Sequence, residues 1–314
     1  MPRHYRKTFL GLGALVLATA ITAPAIPAIA SSFPVTNARI VAHFDITAGQ
    51  QPENIALEPD GDADVTFAFA RQVARVTSQG KVTILATLPA AADGTAVISG
   101  IVRAPNGTLY VNYVDSGGTK SGIWRICPDG TAEQVVALPA AEFLNGLAFA
   151  PLSGALFATD SALGVVWKVR PSTGKAVIWA SGAELQPGTN GFGVNGLKVH
   201  DGSVWVGNTD HGTLLRIPIR PDGTAGSAVV VASGLPGIDD FDFTGPGETL
   251  LAAQNPLNQV DLITPDGTAH IVLTAADGLS TPSSVAVRGS AVYVTSAAYF
   301  TGTDPNLLMA QLGR

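Results

Sequence analysis

Asn145-Gly146-Leu147-Ala148-Phe149 returns 50 residues later as Asn195-Gly196-Leu197-Lys198-Val199. Weaker copies stand at Glu53-Asn54-Ile55-Ala56-Leu57, Ser99-Gly100-Ile101-Val102-Arg103, Asp239-Asp240-Phe241-Asp242-Phe243 and Ser283-Ser284-Val285-Ala286-Val287. Successive copies begin 44 to 50 residues apart. A period of this size marks stacked supersecondary units, each too small to bury its own apolar face alone.

Outward from each copy the pattern is the same. A Gly- or Asn-bearing turn follows, such as Pro59-Asp60-Gly61, Pro105-Asn106-Gly107 or Asp201-Gly202, where positive φ is tolerated and a hairpin can close. A β-rich run comes next (Val65–Ala68, Leu109–Val111, Leu156–Ala158, Val204–Val206, Leu250–Ala252, Val292–Val294). After a loop comes a third run, such as Ile123-Trp124-Arg125-Ile126, then a second turn and a fourth run. Four short strands repeated six times predict an all-β chain, a six-bladed β-propeller. A β-sandwich or solenoid is the alternative, and the two chain ends decide against it. The sixth unit stops after its third run, Leu307–Leu312, while Ala38–Phe44 is a strand-like run left over ahead of the first copy. Pairing the two would close the ring and cover an exposed edge.

The first thirty residues read as an export leader, with 31–314 as a single domain. Arg3, Arg6 and Lys7 precede an apolar run, Phe9 to Ile21, and small residues end in Ala28-Ile29-Ala30. The apolar run is short for a membrane span. Cleavage after Ala30 is expected to yield a secreted or periplasmic protein. It would leave 15 basic against 24 acidic residues, a formal charge of −9. That balance argues against nucleic acid and anionic membranes as partners, and a monomer acting on a small molecule is expected. A single cysteine, Cys127, excludes an intramolecular disulfide. No nucleophile elbow, P-loop or dinucleotide fingerprint is present.

In an up-down-up-down blade the start of strand one and the end of strand two share one end of the ring. Glu53, Ser99, Asn145, Asn195, Asp239 and Ser283 therefore gather at one mouth. Loops bearing Tyr113, Asp115, Asp160, Asp210, His211, Asn255 and Tyr299 surround them. Glu53, Asn145, Asn195 and Asp239 offer two carboxylates and two amide oxygens, hard donors that suit calcium, magnesium or manganese better than a structural zinc. A water-filled channel would also be lined by polar residues, which accounts for the serines better than for a Glu and an Asp at one repeat phase.

The blade phase, the Asn-Gly-Leu phrases and the order Glu, Asn, Asn, Asp resemble the gluconolactonase / senescence-marker-protein-30 family of six-bladed propellers, over essentially the whole mature chain. The resemblance implies that Glu53, Asn195 and Asp239 hold one divalent metal ion. Calcium is expected, with zinc, magnesium and manganese as alternatives. It also implies that Asn145 contacts substrate or water beside the metal. Two departures stand out: Phe143 replaces a substrate-binding Arg, and Asp240 replaces a Gly. The mouth is therefore expected to be apolar on one side and acidic on the other, suiting a hydrophobic lactone or ester.

The resulting expectation is a metal-dependent lactonase. Asp239 would act as ligand and base, with Asp210 or His211 as alternative bases, and Asn145, Phe143 and Tyr113 would contact substrate. A non-catalytic binding propeller and a strictosidine-synthase-like enzyme are the alternatives. The second relies on a late-blade glutamate, and the sixth blade leads with Ser283.

Overall fold

Each copy of the lead phrase opens a four-stranded antiparallel sheet. The computed structural model describes residues 35–92, 95–116, 120–139 and 143–313. The expected leader lies outside the described residues. Strand β1 is Val35–His43. Blade 1 holds β2 (Pro52–Leu57), β3 (Ala63–Phe67), β4 (Gln72–Val76) and β5 (Val82–Thr87). Blade 2 holds β6 (Ala96–Arg103), β7 (Leu109–Asp115), β8 (Gly122–Ile126) and β9 (Ala132–Ala137). Blade 3 holds β10 (Leu144–Ala150), β11 (Ala155–Asp160), β12 (Val165–Arg170) and β13 (Lys175–Ser181). Blade 4 holds β14 (Val194–His200), β15 (Ser203–Asn208), β16 (Thr213–Pro218) and β17 (Val229–Ser233). Blade 5 holds β18 (Ile238–Phe243), β19 (Leu250–Gln254), β20 (Gln259–Ile263) and β21 (Ala269–Leu273). Blade 6 holds β22 (Pro282–Arg288), β23 (Ala291–Ser296) and β24 (Asn306–Leu312), and its fourth strand is β1.

The chain is thus a six-bladed β-propeller closed by pairing its two ends. First strands neighbour one another in the cycle β2, β6, β10, β14, β18, β22 and back to β2. The closing strand begins three residues before its expected start and ends one residue earlier, at His43. The second strands β3, β11, β15 and β19 are buried along their whole length, because neighbouring blades cover both of their faces. The fourth strands face water: β5, β13 and β21 bury little beyond one residue each near their ends. Apolar cores form where blades meet. Val73, Leu88, Ile98, Val111, Tyr113 and Trp124 are one such cluster between blades 1 and 2.

The recurrent phrase has a structural cause. Every first strand breaks register with its neighbour at the lead residue, between Pro52 and Asn54, Ile98 and Ile101, Leu144 and Leu147, Val194 and Leu197, Ile238 and Phe241, and Pro282 and Ser284. A bulge frees the lead residue from the ladder and re-aims its side chain. The glycines that follow permit close blade contact. A Cβ on Gly100, Gly146 or Gly196 would lie 2.3, 2.5 or 2.4 Å from the lead carbonyl oxygen of the next blade.

Candidate functional site

Lead residues are fixed by hydrogen bonds that run from blade to blade. Ser99 Oγ donates to Leu144 O (2.7 Å) and Ser283 Oγ to Pro52 O (2.7 Å), so the two lead serines staple neighbouring blades. At Asn195 the staple comes from a loop residue. Thr209 Oγ1 donates its one proton to Ile238 O (2.8 Å) and presents a lone pair to Asn195 Nδ2 (3.0 Å). The amide must therefore turn its NH2 to Thr209, which leaves Asn195 Oδ1 buried with no hydrogen-bond partner. Ser161 does the same for blade 3, donating to Val194 O (2.7 Å) and accepting from Asn145 Nδ2 (3.4 Å). Asn255, at the same repeat phase in blade 5, donates from Nδ2 to Asp239 Oδ2. Glu53 has no such partner in its own blade, where Ala68 and Phe69 occupy the loop. Tyr299 of blade 6 supplies it, donating its hydroxyl to Glu53 Oε2.

Glu53, Asn195 and Asp239 act on one another electrostatically. Burial raises the Asp239 carboxyl well above its ordinary value, the Glu53 and Asp240 charges raise it further, and hydrogen bonds from Asn255 and Asn195 oppose them. Glu53 is pushed up to about 7 by burial and by Asp240, with the Tyr299 hydrogen bond opposing. The Tyr299 phenol is raised by burial and by the Glu53 charge. A buried carboxylate, Asp239, and a half-buried one, Glu53, that repel one another beside an amide oxygen with no partner fit a hard divalent cation. Among the described residues no three His, Cys, Asp or Glu side chains form a metal-binding group, so a cation here would rest on these two carboxylates and on amide oxygen.

This arrangement predicts a pH effect on the chelated protein. A carboxyl whose folded pKa exceeds its unfolded value holds its proton more tightly when folded. Glu53 therefore costs stability as pH rises from its ordinary 4.5 through about 7. With chelator present, the melting temperature should fall by roughly 5–10 °C between pH 5 and pH 8, from about 2–3 kcal/mol at about 2–4 °C per kcal/mol for a large domain. Saturating calcium should remove the drop. Calorimetry at the two pH values checks this, and a flat chelated profile would count against the charged pair.

Other expected residues are placed differently. Tyr113 is a correction: it is fully buried, its hydroxyl donates to Pro89 O (2.7 Å), and its ring lies 5.5 Å from that of Trp124. Strand β7 runs on to Asp115, and period-2 alternation puts Tyr113 on the same core-facing side as Val111. Asn112, on the opposite face, donates to Asn145 O (2.8 Å) and Gly146 O (3.1 Å). Asp210 anchors a loop, its Oδ2 accepting from the backbone N–H of Asn190 and Phe192 (3.1 Å each) and its Oδ1 from Asn190 Nδ2 (3.2 Å). His211 is an exposed side chain on that rim. Asp160 caps its own turn through Leu163 N (3.0 Å).

The loop held by Asp210 brings Phe192 edge-on to Phe143, with ring centroids 5.5 Å apart. Phe69, Leu163, Leu257 and Phe300, all on loops at this end of the ring, are exposed as well. Asp240 does not add to an acidic rim. It is buried and ion-paired, with Lys198 Nζ 2.7 Å from both carboxylate oxygens. Phe192, Thr209, Asn255, Tyr299 and Lys198 have no assigned role in the sequence reading. For Lys198 a signal was available: the third position after each lead residue is Ala56, Val102, Ala148, Lys198, Asp242 and Ala286, charged only in blades 4 and 5. A groove of about 440 Å³ lined by Tyr110, Arg125, Phe149 and Pro151 lies at the other end of blades 2 and 3, and contains none of the site residues.

A sequence-family profile described as "Repeat of unknown function (DUF6923)" matches residues 61–240. No curated protein matches the chain. Among solved structures, a gluconolactonase from Xanthomonas campestris is similar at 19% identity and a TM-score of 0.63, with 90% of this chain and 96% of that chain covered. A catalytically inactive virginiamycin B lyase from Staphylococcus aureus, solved with quinupristin, is similar at 16% identity and a TM-score of 0.59, covering 84% and 81%. An auxiliary nutrient binding protein from Bacteroides ovatus reaches a TM-score of 0.66 at 12% identity, covering 90% and 78%. At these identities the likeness is one of fold.

Proposed function

This chain belongs to the DUF6923 repeat family, whose description assigns no activity, and from its own residues we propose a divalent-metal-dependent hydrolase of the lactonase type that opens a hydrophobic lactone or ester. The observation that carries the reading is the unpartnered Asn195 Oδ1 beside the mutually repelling Glu53 and Asp239. The gluconolactonase / senescence-marker-protein-30 resemblance assigns its metal ligands to these same three positions. A bound cation supplies positive charge that polarises the scissile carbonyl and stabilises charge developing on its oxygen.

The protein residues divide the remaining work. Glu53, Asn195 and Asp239 would hold the ion, with calcium as the expected occupant. Asn145, held by Ser161, orients the substrate or the attacking water. Asp239 takes the proton from that water as it attacks the carbonyl carbon. The ring C–O bond then breaks, and the departing alkoxide receives the proton. Phe143 and Phe192 form an apolar wall where sugar hydroxyls would find no partner, so an alkyl- or aryl-substituted lactone is favoured over a polyhydroxylated one.

The test is a panel of alkyl lactones, sugar lactones and aryl esters, assayed with calcium and with chelator. Turnover of apolar lactones that chelator abolishes supports the reading. Turnover that persists in chelator would overturn the role of the ion. The exposed Phe69 and Phe300 at the rim also suit a binding propeller. That second reading is favoured if the calcium-loaded protein binds apolar lactones without opening them.

A further inference from the structure

In blades 2, 3 and 4 the position after the lead residue is glycine, and backbone passes close to backbone. In blades 1, 5 and 6 it is Asn54, Asp240 and Ser284, and these three side chains meet inside the channel. Asp240 Oδ2 accepts from Asn54 Nδ2 (3.0 Å) and Ser284 Oγ (2.8 Å). Lys198 Nζ lies 2.7 Å from both Asp240 oxygens, and its side chain is 23% exposed against 2% for Asp240. Asn54 follows Glu53, Asp240 follows Asp239, and Lys198 is three residues beyond Asn195. Each member of this cluster except Ser284 is therefore tied through its backbone to one proposed cation ligand.

We infer that Lys198 and Asp240 form a charge-matching plate beneath the mouth, which sets the net charge seen by the bound ion and so determines selectivity for a divalent cation. The inference rests on the proposed metal site and deepens it. Glu53 and Asp239 bring two negative charges. Asp240 would add a third beside them, and the ammonium of Lys198 offsets that one, while Asp242, whose carboxyl Lys198 also faces, is the same in every variant compared below. Low-dielectric surroundings make each such charge count for more than it would at a surface. Lys198 also eases the Asp242 carboxyl, which burial pushes up to about 6.

A charge-matching plate and a merely structural ion pair differ under double substitution. Calcium and terbium affinities should be measured by calorimetry and by terbium luminescence on the whole protein, with no substrate present. Asp240→Asn leaves Lys198 unbalanced and should weaken calcium binding about tenfold. Lys198→Met/Asp240→Asn removes both charges and should restore calcium affinity to within about threefold of the parent. A double variant no better than Asp240→Asn alone would overturn the inference while leaving the metal site standing. If Asp240→Asn does not fold, Lys198→Gln decides: it should shift preference toward trivalent terbium, and an unchanged terbium-to-calcium ratio would overturn the proposal. A parent protein that binds no divalent ion would remove the metal site, and this inference with it.

Discussion

Asp239→Asn is expected to abolish calcium binding and lactone hydrolysis together, each by at least about a hundredfold, while the protein stays folded. The substitution removes one of two ligand charges and barely changes shape. Asp239 is buried, and its Oδ2 is already held by Asn255, so the side chain has little freedom to rearrange. An ion that binds only the folded state adds RT ln(1 + [L]/Kd), about 2.7 kcal/mol at a hundredfold excess over Kd. Losing it should lower the calcium-loaded melting temperature by about 5 °C or more. The variant should then melt as the parent does in chelator, or slightly higher, because one partner of a repelling pair is gone. Asn145→Ala should behave differently, impairing turnover more than metal content. Ser99→Ala and Ser283→Ala lose a staple and should cost roughly 1–2 kcal/mol of stability each, with calcium binding nearly intact. Stoichiometric calcium in a Glu53→Gln/Asp239→Asn double variant would refute the site.

The fold was legible because its repeat leaves two marks at once, a period and a leftover strand at the other end of the chain. The lead residues were legible for a related reason. Each sits in a bulge, and a bulge needs a particular residue pattern, so the phrase survives where the rest of the blade drifts. What surrounds them was harder to read. Tyr299 reaches Glu53 from another blade, 246 residues away in sequence, and no local pattern announces that contact. Tyr113 was misplaced by the strand's end: a run expected to stop at Val111 continues to Asp115, which moves Tyr113 from loop to core. Asp240 reads as added acidity until Lys198 is found against it. Lys198 stands in the ladder opposite Trp205 while Asp240 stands in the bulge of the next blade, so the pairing joins two first strands that no local pattern links.

Deleting Val35–His43 should abolish cooperative folding, the other large effect expected. The strand pairs with β24 from Val35↔Leu312 to His43↔Asn306, and Ala42 is buried among Ile55, Phe67 and Leu307 of the blade 1–blade 6 junction. The closure continues past the strand: Phe44 N donates to Pro305 O (2.8 Å), and its ring packs edge-on to Phe67 at 4.8 Å. His43 Nδ1 lies 2.5 Å from Asp304 Oδ1. Without β1, strand β24 would present unpaired N–H and C=O groups flanked by the buried Leu307, Leu308 and Ala310, an edge prone to pair with another chain. A domain's whole stability is about 5–15 kcal/mol, and losing a full ladder with its side-chain contacts removes a large share of it. The truncated protein should therefore aggregate, or melt broadly and at low temperature. The cause would be loss of closure rather than of residues, and a permutation separates the two. Moving Val35–His43 behind Leu312 through a short glycine-containing loop keeps the strand antiparallel to β24 and should restore a single sharp melting transition. A truncated protein that remains monomeric and melts like the parent would show that the ring does not depend on this strand. A permuted protein that fails to recover would instead place the dependence on the covalent link from His43 through Phe44 into blade 1.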